Sequence, residues 1–181
     1  MSVAAVTGVI ARTERLVLRR IEAKDTALLY EGFGNPAQMT WWSREAFSSE
    51  SELADYLMPE DPGTFLVCVA AEPLSDEAML YCVLMPGSRG QAEIGYLCRP
   101  KWQGKGLVTQ ALSALIDHAF ANPETRRISA DTDPDNHASN ALLRRLGFSL
   151  EGRLRENWVT HIGPRDSLIW GLLRKEWKAR G

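Results

Sequence analysis

The sequence predicts one α+β domain, spanning residues 1–181, in which helices flank a mixed, mostly antiparallel sheet. Several β-rich runs follow one another in the middle of the chain, and only turn-forming stretches at 73–75 and 86–90 separate them. Helical patterns lie on both sides of these runs, and alternating apolar and polar residues return near the C-terminus. No repeat, low-complexity segment or linker divides the chain, whose 181 residues are typical of one domain.

The N-terminal third predicts a strand and two helices. Residues 15–21 alternate apolar and charged side chains, which is typical of a strand. Residues 23–34 carry apolar side chains at helical spacing, and Gly34 and Pro36 end this helix. Residues 49–52 form a capping box, so a second helix begins there and carries its apolar residues at Leu53, Tyr56 and Leu57.

The middle of the chain predicts an antiparallel meander followed by a long helix. The three β-rich runs are residues 64–71, 79–85 and 92–98. An amphipathic pattern then extends to Asn122-Pro123, which stops the helix. Its apolar face consists of Leu107, Ala111, Leu112, Leu115, Ala119 and Phe120.

The C-terminal third predicts four strands and one short helix. Residues 127–132 are typical of a strand, and residues 138–146 of a helix that ends at Gly147 in the C′ position. Three alternating runs predict the remaining strands, with a Gly163-Pro164 turn between the last two: 148–154, 157–162 and 166–173.

The charge and hydropathy of the chain exclude several classes of protein. Its formal net charge of −2 argues against a nucleic-acid partner, because such binding normally needs a basic surface. No apolar run approaches the roughly 20 residues of a membrane-spanning helix, so we expect no membrane partner. The short apolar stretch at the N-terminus follows no basic residue, so we expect no secretory signal.

The cysteines and histidines predict neither a disulfide framework nor a metal site. Cys68, Cys82 and Cys98 each lie in an apolar, strand-like run, their number is odd, and they lack the close pairs of a zinc site. The three histidines show no ligand spacing. We therefore expect buried thiols in a reducing cytoplasm, and no metal.

A loop with two glycines and a lysine, Gly104-Lys105-Gly106, precedes the long helix. The first N–H groups of a helix lack internal partners, and the helix dipole adds partial positive charge there, so this loop can bind a phosphate. It can equally be a solvated turn. The sequence lacks both the Walker motif and the third small residue of a dinucleotide fingerprint, since Thr109 stands at that position.

The order of motifs around this loop decides between these two interpretations. Residues 103–108 match the Q/R-x-x-G-x-G/A loop of the GNAT superfamily of acyl-CoA N-acyltransferases, except at Val108. Asn136-x-x-Ser139-Asn140, followed by residues 146–148 and 151–153, resembles the RimJ/RimL branch of ribosomal-protein N-terminal acetyltransferases. The resemblance covers residues 13–177 and leaves 1–12 as an N-terminal extension. We expect the Val108 side chain to point into the core, because only its backbone N–H is needed.

The resemblance implies an acetyl-CoA site between two neighbouring strands, 92–98 and 127–132, that splay apart around the pantetheine arm. Backbone groups of Leu97, Cys98 and Arg99 would bond the pantetheine amides, as would Asn140. Asn136 would do the same or cap the helix that follows it. The N–H groups of residues 104–109 would hold the pyrophosphate. The loop residues assigned to the coenzyme are Gln103, Gly104, Lys105, Gly106, Leu107, Val108 and Thr109.

The residues that would move protons follow from the same resemblance. The tyrosine that many GNAT enzymes use as an acid is replaced here by Leu143. The RimL-like branch implies Ser139 as the donor to the coenzyme sulfur, unless this serine is only part of the first helical turn. Two candidates remain open as the general base. Glu156 would share the face of Trp158, which stands where RimL-like members carry a carboxylate, and Glu93 would border the coenzyme.

These observations predict an enzyme that transfers an acetyl group from acetyl-CoA to a primary amine by direct attack, as a monomer or homodimer. An α-amine, with a pKa of about 7.7–8.0, loses its proton more easily than a lysine near 10.4, so a weak base favours a peptide N-terminus or a similarly weakly basic small amine. Trp41 and Trp42 would form the acceptor wall, or pack over the core as a lid. The alternative function is a non-catalytic acyl-CoA-binding sensor or interaction module.

Overall fold

The computed structural model describes residues 8–59 and 64–178, and its strands form one eight-stranded sheet. The strands are β1 (Val9–Arg12), β2 (Val17–Arg20), β3 (Leu66–Ala71), β4 (Ala78–Pro86), β5 (Gln91–Cys98), β6 (Arg127–Thr132), β7 (Ser149–Thr160) and β8 (Gly163–Leu173). The helices are α1 (Asp25–Phe33), α2 (Pro36–Met39), α3 (Glu50–Leu57), α4 (Leu107–Ala121), α5 (His137–Leu146) and α6 (Arg174–Lys178). The predicted α+β class is confirmed.

The order of the strands is β1-β2-β3-β4-β5-β6-β8-β7, and every neighbouring pair except one is antiparallel. The exception is β5 with β6, which are parallel and pair at only three positions, Gln91 to Glu93 with Arg127 to Ser129. Beyond these positions the two strands separate. The predicted mixed, mostly antiparallel sheet with splayed neighbouring strands is thus confirmed.

The paired end of β5 and β6 is held by the turn before β5. Gly90, with φ 72°, accepts a hydrogen bond from Arg126 N at 2.8 Å. A Cβ at this position would collide with the carbonyl oxygen of Glu124, so only glycine allows the two segments to approach this closely. The gap between β5 and β6 therefore begins next to a closely packed contact between Gly90 and residues 124–126.

An apolar cluster fills each face of the sheet. On one face, all six residues predicted for the apolar side of α4 are buried. On the other face, α1 and α3 pack with Leu29, Phe33, Leu53 and Leu57 against β3 to β5. Within residues 8–59 and 64–178, no helix is long and apolar enough to cross a membrane.

Two parts of the strand assignment differ from the sequence analysis. Residues 9–12, within the predicted extension, form the edge strand β1 and pair with β2. The runs 148–154 and 157–162, predicted as two strands, are one strand, β7, whose register with β8 shifts between Leu154 and Trp158. At that bulge Glu156 has φ 48°, which breaks the alternation without ending the strand.

A buried ion pair ties β2 to α1. Arg19 donates two hydrogen bonds to the Asp25 carboxylate, at 2.7 and 2.8 Å, and both side chains are buried. Arg19 Nε also donates to Asp76 Oδ1 at 2.8 Å in the turn between β3 and β4. Asp25 in turn accepts from Glu22 N at 2.8 Å. One guanidinium therefore joins three segments of the chain.

We predict that Asp25→Ala lowers the free energy of unfolding by about 3–5 kcal/mol, because it leaves a buried cation without its main partner. Urea denaturation of the purified protein measures the change. Asp55→Ala, the same substitution at an exposed position of α3, is the control and should stay within about 0.5 kcal/mol of wild type. Equal stability of the two variants would show that Asp76 suffices for Arg19.

Candidate functional site

The separation of β5 from β6 leaves backbone groups of β5 without a sheet partner. Arg99 N donates to Met79 O of β4 at 3.1 Å, whereas Ala92 O points toward β6 and accepts from Ser129 Oγ at 3.2 Å. Because backbone groups alternate along a strand, odd-numbered residues bond toward β4 and even-numbered ones face the gap. The residues whose N–H and C=O groups face the gap are Ile94, Tyr96 and Cys98.

This alternation changes the backbone assignment predicted for the coenzyme. The backbone groups of Leu97 and Arg99 bond toward β4, so of the three predicted residues only Cys98 presents its backbone to the gap. Gln103 Nε2 donates to Cys98 O at 3.0 Å, which brings the predicted loop against this edge. Burial raises the pKa of the Cys98 thiol to about 11, so it is protonated at neutral pH and is not a nucleophile.

The Arg99 side chain has a structural task. It is buried, with 4% of its surface exposed, and donates to Glu31 Oε2 at 2.9 and 2.6 Å. It also donates to Glu77 Oε1 at 2.7 Å and to the backbone oxygen of Ala78. These bonds fix the end of β5 to α1 and to the start of β4, immediately before the glycine loop.

The loop before α4 has the backbone that its glycines predict. Gly104 and Gly106 have φ values of 72° and 75°, in the left-handed region that favours glycine. No side chain caps α4, and its first turn contains no acidic residue. The N–H groups of this turn, Leu107 to Thr109, therefore have no helical acceptor. The structure thus presents a cluster of free donors where the sequence analysis predicts a pyrophosphate.

Two side chains of this segment pack away from those donors. Lys105 Nζ lies over the Trp102 ring, 4.8 Å from its centroid, and Lys105 O accepts from Arg15 Nη2 at 2.7 Å. The Val108 side chain packs against the core, as expected for a residue that offers only its N–H.

A cavity of about 480 Å³ lies at the gap between β5 and β6. One side is apolar and includes residues of β3 and β4, and the other side carries carboxylates and hydroxyls. The predicted site residues among its lining are Trp41, Trp42, Glu93, Asn136 and Ser139.

Ser139 is paired with a second hydroxyl that the sequence analysis does not identify. Its Oγ lies 2.5 Å from Tyr96 Oη, and both residues line the cavity. Burial raises the pKa of Tyr96 to about 12, so this phenol stays protonated at neutral pH. Leu143, at the position of the usual tyrosine, is fully buried. The structure therefore places a pair of proton donors from β5 and α5 beside the gap.

The side chains of the two asparagines in the predicted motif form hydrogen bonds within the protein. Asn136 Oδ1 accepts from Ser139 N at 3.2 Å and caps α5, one of the two roles predicted for it. Asn140 is buried and accepts from Thr132 Oγ1 at 2.5 Å, while its Nδ2 donates to the backbone oxygens of Asp133 and Pro134, both at 3.1 Å. Both of its N–H groups are used within the protein, so Asn140 joins β6 to α5, and its predicted contact with the pantetheine arm stays a prediction.

The structure separates the two candidate bases. Glu93 lines the cavity, where partial loss of hydration and the negative charge of Asp131 raise its pKa. Glu156 is exposed at the β7 bulge and is not among the lining residues. The alternation argument fails for Glu156 because its positive φ breaks the strand period, while Trp158 does reach the cavity.

Asp131 is a second carboxylate that the sequence analysis misses. Its Oδ2 accepts from Trp158 Nε1 and from Ser167 Oγ, both at 3.0 Å. It lies in a regular strand two residues beyond Ser129, the partner of Glu93, so its closeness to Glu93 becomes apparent only from the pairing of β5 with β6. The two carboxylates together make this end of the cavity negative. Among the described residues, no cluster of histidine, cysteine, aspartate or glutamate is arranged to hold a metal ion.

Trp41 and Trp42 both line the cavity but differ in their packing. Trp42 contacts Phe33 and Tyr81 in the core, with ring centroids 5.2 and 6.3 Å apart. Trp41 is 37% exposed and lies under the Arg165 guanidinium, 5.4 Å from its ring centroid. Trp42 therefore packs over the core, as one alternative predicts, and the acceptor wall stays a prediction for the two rings that line the cavity.

Comparisons with known proteins agree with this geometry. The family model described as an acetyltransferase (GNAT) domain matches residues 15–149. The uncharacterized N-acetyltransferase p20 of Bacillus licheniformis is 30% identical over 175 residues, which cover 91% of this chain and 96% of that protein. The [ribosomal protein uS5]-alanine N-acetyltransferase of Escherichia coli is 36% identical over 91 residues, 50% of this chain and 47% of that protein.

The fold is also similar to that of a solved ribosomal-protein acetyltransferase. The apo structure of RimL, the ribosomal L7/L12 alpha-N-protein acetyltransferase, superposes with a TM-score of 0.80 at 22% identity. The match covers 91% of this chain and 93% of that one. With the sequence match to a uS5-alanine N-acetyltransferase, this confirms the predicted RimJ/RimL-like resemblance.

We predict that Asp131→Asn lowers the pKa of Glu93, because it removes the negative charge that opposes ionisation of that carboxyl. Carbon-13 NMR titration of the glutamate carboxyls measures this, with Glu93→Gln to assign the resonance. Asp117→Asn, the same change on α4, where the aspartate bonds Trp177, is the control and should leave the Glu93 titration unaltered. An unchanged pKa in Asp131→Asn would mean that loss of hydration is the whole cause.

Proposed function

The chain belongs to the GNAT acetyltransferase family and is an acetyl-CoA-dependent N-acetyltransferase, and we propose that its acceptor is the primary amine of a peptide N-terminus or of a small molecule. The observation that supports this proposal most is the gap between β5 and β6. Its free backbone edge leads from the glycine loop to a cavity that contains Ser139, Tyr96 and Glu93. The N–H groups proposed to bind the coenzyme and the side chains proposed to transfer protons therefore border the same gap.

The residues around the gap fit the coenzyme. Cys98 and Tyr96 offer backbone groups at the spacing of a strand neighbour, which suits the amides of an extended pantetheine arm. The N–H groups of residues 104–109 suit a pyrophosphate, since no side chain occupies the helix start. Bound acetyl-CoA supplies the acetyl group as a thioester.

Ser139 is the proposed proton donor to the coenzyme sulfur, and Tyr96 supports it. When Tyr96 Oη donates to Ser139 Oγ, the serine hydrogen is free to point into the cavity. The Tyr96 phenol is protonated at neutral pH, so after Ser139 has given its proton to the thiolate, Tyr96 can pass a proton to the serine oxygen and take one back from solvent in the cavity. Such general acid catalysis typically contributes 10²–10⁴-fold.

Glu93 is the proposed base for the acceptor ammonium. The pKa of Glu93 is raised, which brings it closer to the pKa of an α-amine. Glu93 also lines the cavity, where an acceptor amine can contact its carboxylate. Because the base remains weak, an α-amine with a pKa of about 7.7–8.0 suits it better than a lysine side chain. We propose a cytoplasmic location, since all three cysteines are free.

Thiol release from acetyl-CoA, with a panel of peptides and small amines, tests the proposal against its alternative. Acceptor-dependent release supports the enzyme, with mass spectrometry to show the acetylated amine. Tight acetyl-CoA binding without release from any acceptor would instead favour the non-catalytic sensor or interaction module.

We predict that Ser139→Ala lowers kcat by about 10–10³-fold and leaves acetyl-CoA affinity unchanged, because it removes one proton donor and little volume. Tyr96→Phe should cause a smaller loss, since the serine hydroxyl remains. Steady-state kinetics and calorimetry measure the two effects. Ser149→Ala, at an exposed position of β7, is the control. Full turnover in Ser139→Ala would assign the serine to the helix start and remove it from the mechanism.

We predict that Glu93→Gln lowers turnover about 10²-fold and flattens the acid limb of the rate profile, with coenzyme affinity unchanged. The wild-type acid limb should lie above the ordinary glutamate pKa, because the Glu93 pKa is raised and the base works only when ionised. Glu156→Gln is the matched control and should keep both rate and profile. A large loss in Glu156→Gln, with none in Glu93→Gln, would reverse the two roles.

A further inference from the structure

The floor of the cavity is apolar immediately beside Glu93. In the antiparallel pair of β4 and β5, Met85 lies opposite Glu93 and Val83 lies opposite Gly95. In the pair of β3 and β4, Val67 lies opposite Val83. Directly opposed residues project from the same face of a sheet, so these three side chains and the Glu93 carboxylate share one surface. All of them line the cavity.

Gly95 keeps the space above this floor open, and Trp42 adds an aromatic ring to the apolar lining. A Cβ at Gly95 would lie 3.0 Å from Val83 Cγ1, so even an alanine would crowd the floor. The Trp42 ring is held in place by Tyr81 and Phe33. The region between Val83, Met85 and Trp42 is thus an apolar chamber next to a carboxylate.

The charges around the chamber suit a single cationic nitrogen. Of the other carboxylates that line the cavity, Asp133 is paired with Arg165 at 2.7 and 2.8 Å, and Asp166 is paired with Arg153 at 2.7 Å. Within the described part of the chain, the side-chain carboxylate of Glu93 accepts no hydrogen bond, and Asp131 Oδ1 has no donor. These two groups make one negative centre, whereas a polyamine would need several along its length.

We infer that the preferred acceptor is a primary amine joined to one bulky apolar group, with the nitrogen at Glu93 and the apolar group in the chamber over Val67, Val83 and Met85. This inference rests on the proposed function. Complete burial of a phenyl or branched aliphatic group is worth roughly 10–150-fold in specificity. The same chemistry occurs in a peptide whose first residue is large and apolar and in a free arylalkylamine.

Competition between matched acceptors tests the inference. We expect kcat/KM for a peptide that begins with Phe to exceed that of the same peptide beginning with Ala by at least about tenfold. The free amines 2-phenylethylamine and ethylamine form the second pair, and show whether the peptide backbone is needed. Spermidine is the cationic comparison and should be poorer than both bulky acceptors.

A variant that fills the chamber links this preference to its location. Val67→Phe enlarges a half-buried residue of the floor, so the ratio of kcat/KM for the Phe peptide to that for the Ala peptide should fall about tenfold or more. Acetyl-CoA affinity, measured by calorimetry, shows that the variant folds. Val159→Phe, the same change at a position 80% exposed and outside the cavity, should keep the wild-type ratio.

The results separate this inference from the proposed function. Acetylation with equal or higher kcat/KM for the Ala peptide or for spermidine would overturn the chamber while leaving the enzyme intact. Calorimetry on the CoA-loaded protein gives a second readout that needs no turnover. If no amine is acetylated but 2-phenylethylamine binds at least about tenfold more tightly than ethylamine, the proposed function is rejected and the apolar chamber is supported as a binding site. Equal binding would overturn it.

Discussion

The structure depends on the unequal pairing of β5 with β6. Backbone groups inside a sheet normally pair with a neighbouring strand, and leaving them without partners costs free energy unless water or a ligand satisfies them. Here the pairing stops after Glu93 and Ser129. The strand β6 is instead held from its other side by β8 over six positions. The sheet therefore remains continuous around an opening that presents hydrogen-bonding groups, and the glycine loop, Ser139 and Glu93 lie along that opening.

Much of the fold is predictable from the sequence because its elements have strong local signals. The apolar face of α4 and the meander of β3 to β5 are of this kind, since periodicity alone defines them. The edge strands are less predictable. Residues 9–12 are too short a run to separate from an extension, and the bulge at Glu156 looks like a break between two strands. Both features depend on pairing with distant segments, which a local pattern does not contain.

The candidate site divides in the same way. The conformation of the glycine loop is predictable because two glycines must adopt positive φ in a short segment. Ser139 follows from a motif, but its partner Tyr96 lies 43 residues earlier on another element, and only the fold brings their hydroxyls together. For Asn140 the motif suggests a ligand contact, and the fold adds a role that the motif does not contain, since its buried amide bonds the backbone oxygens of Asp133 and Pro134. A sequence pattern does not show which side chains are close in space or which of them already use their hydrogen bonds within the protein.

The close contact between Gly90 and the segment 124–126 makes the splayed strands a lever. From the last paired residue, Glu93, to Cys98 is about 16 Å of extended chain. Because β4 holds β5 and β8 holds β6 along their lengths, only a rotation of one half of the sheet against the other changes the gap, and about 5° about the clamped end would move Cys98 by about 1.4 Å relative to β6. The width of the gap between β5 and β6 therefore depends on the packing of Gly90 against segment 124–126, which is remote from the cavity. A small change in side-chain volume near Gly90 would therefore alter the distance between β5 and β6 at Cys98. The width of the gap can evolve in this way without any substitution among the residues that line the cavity.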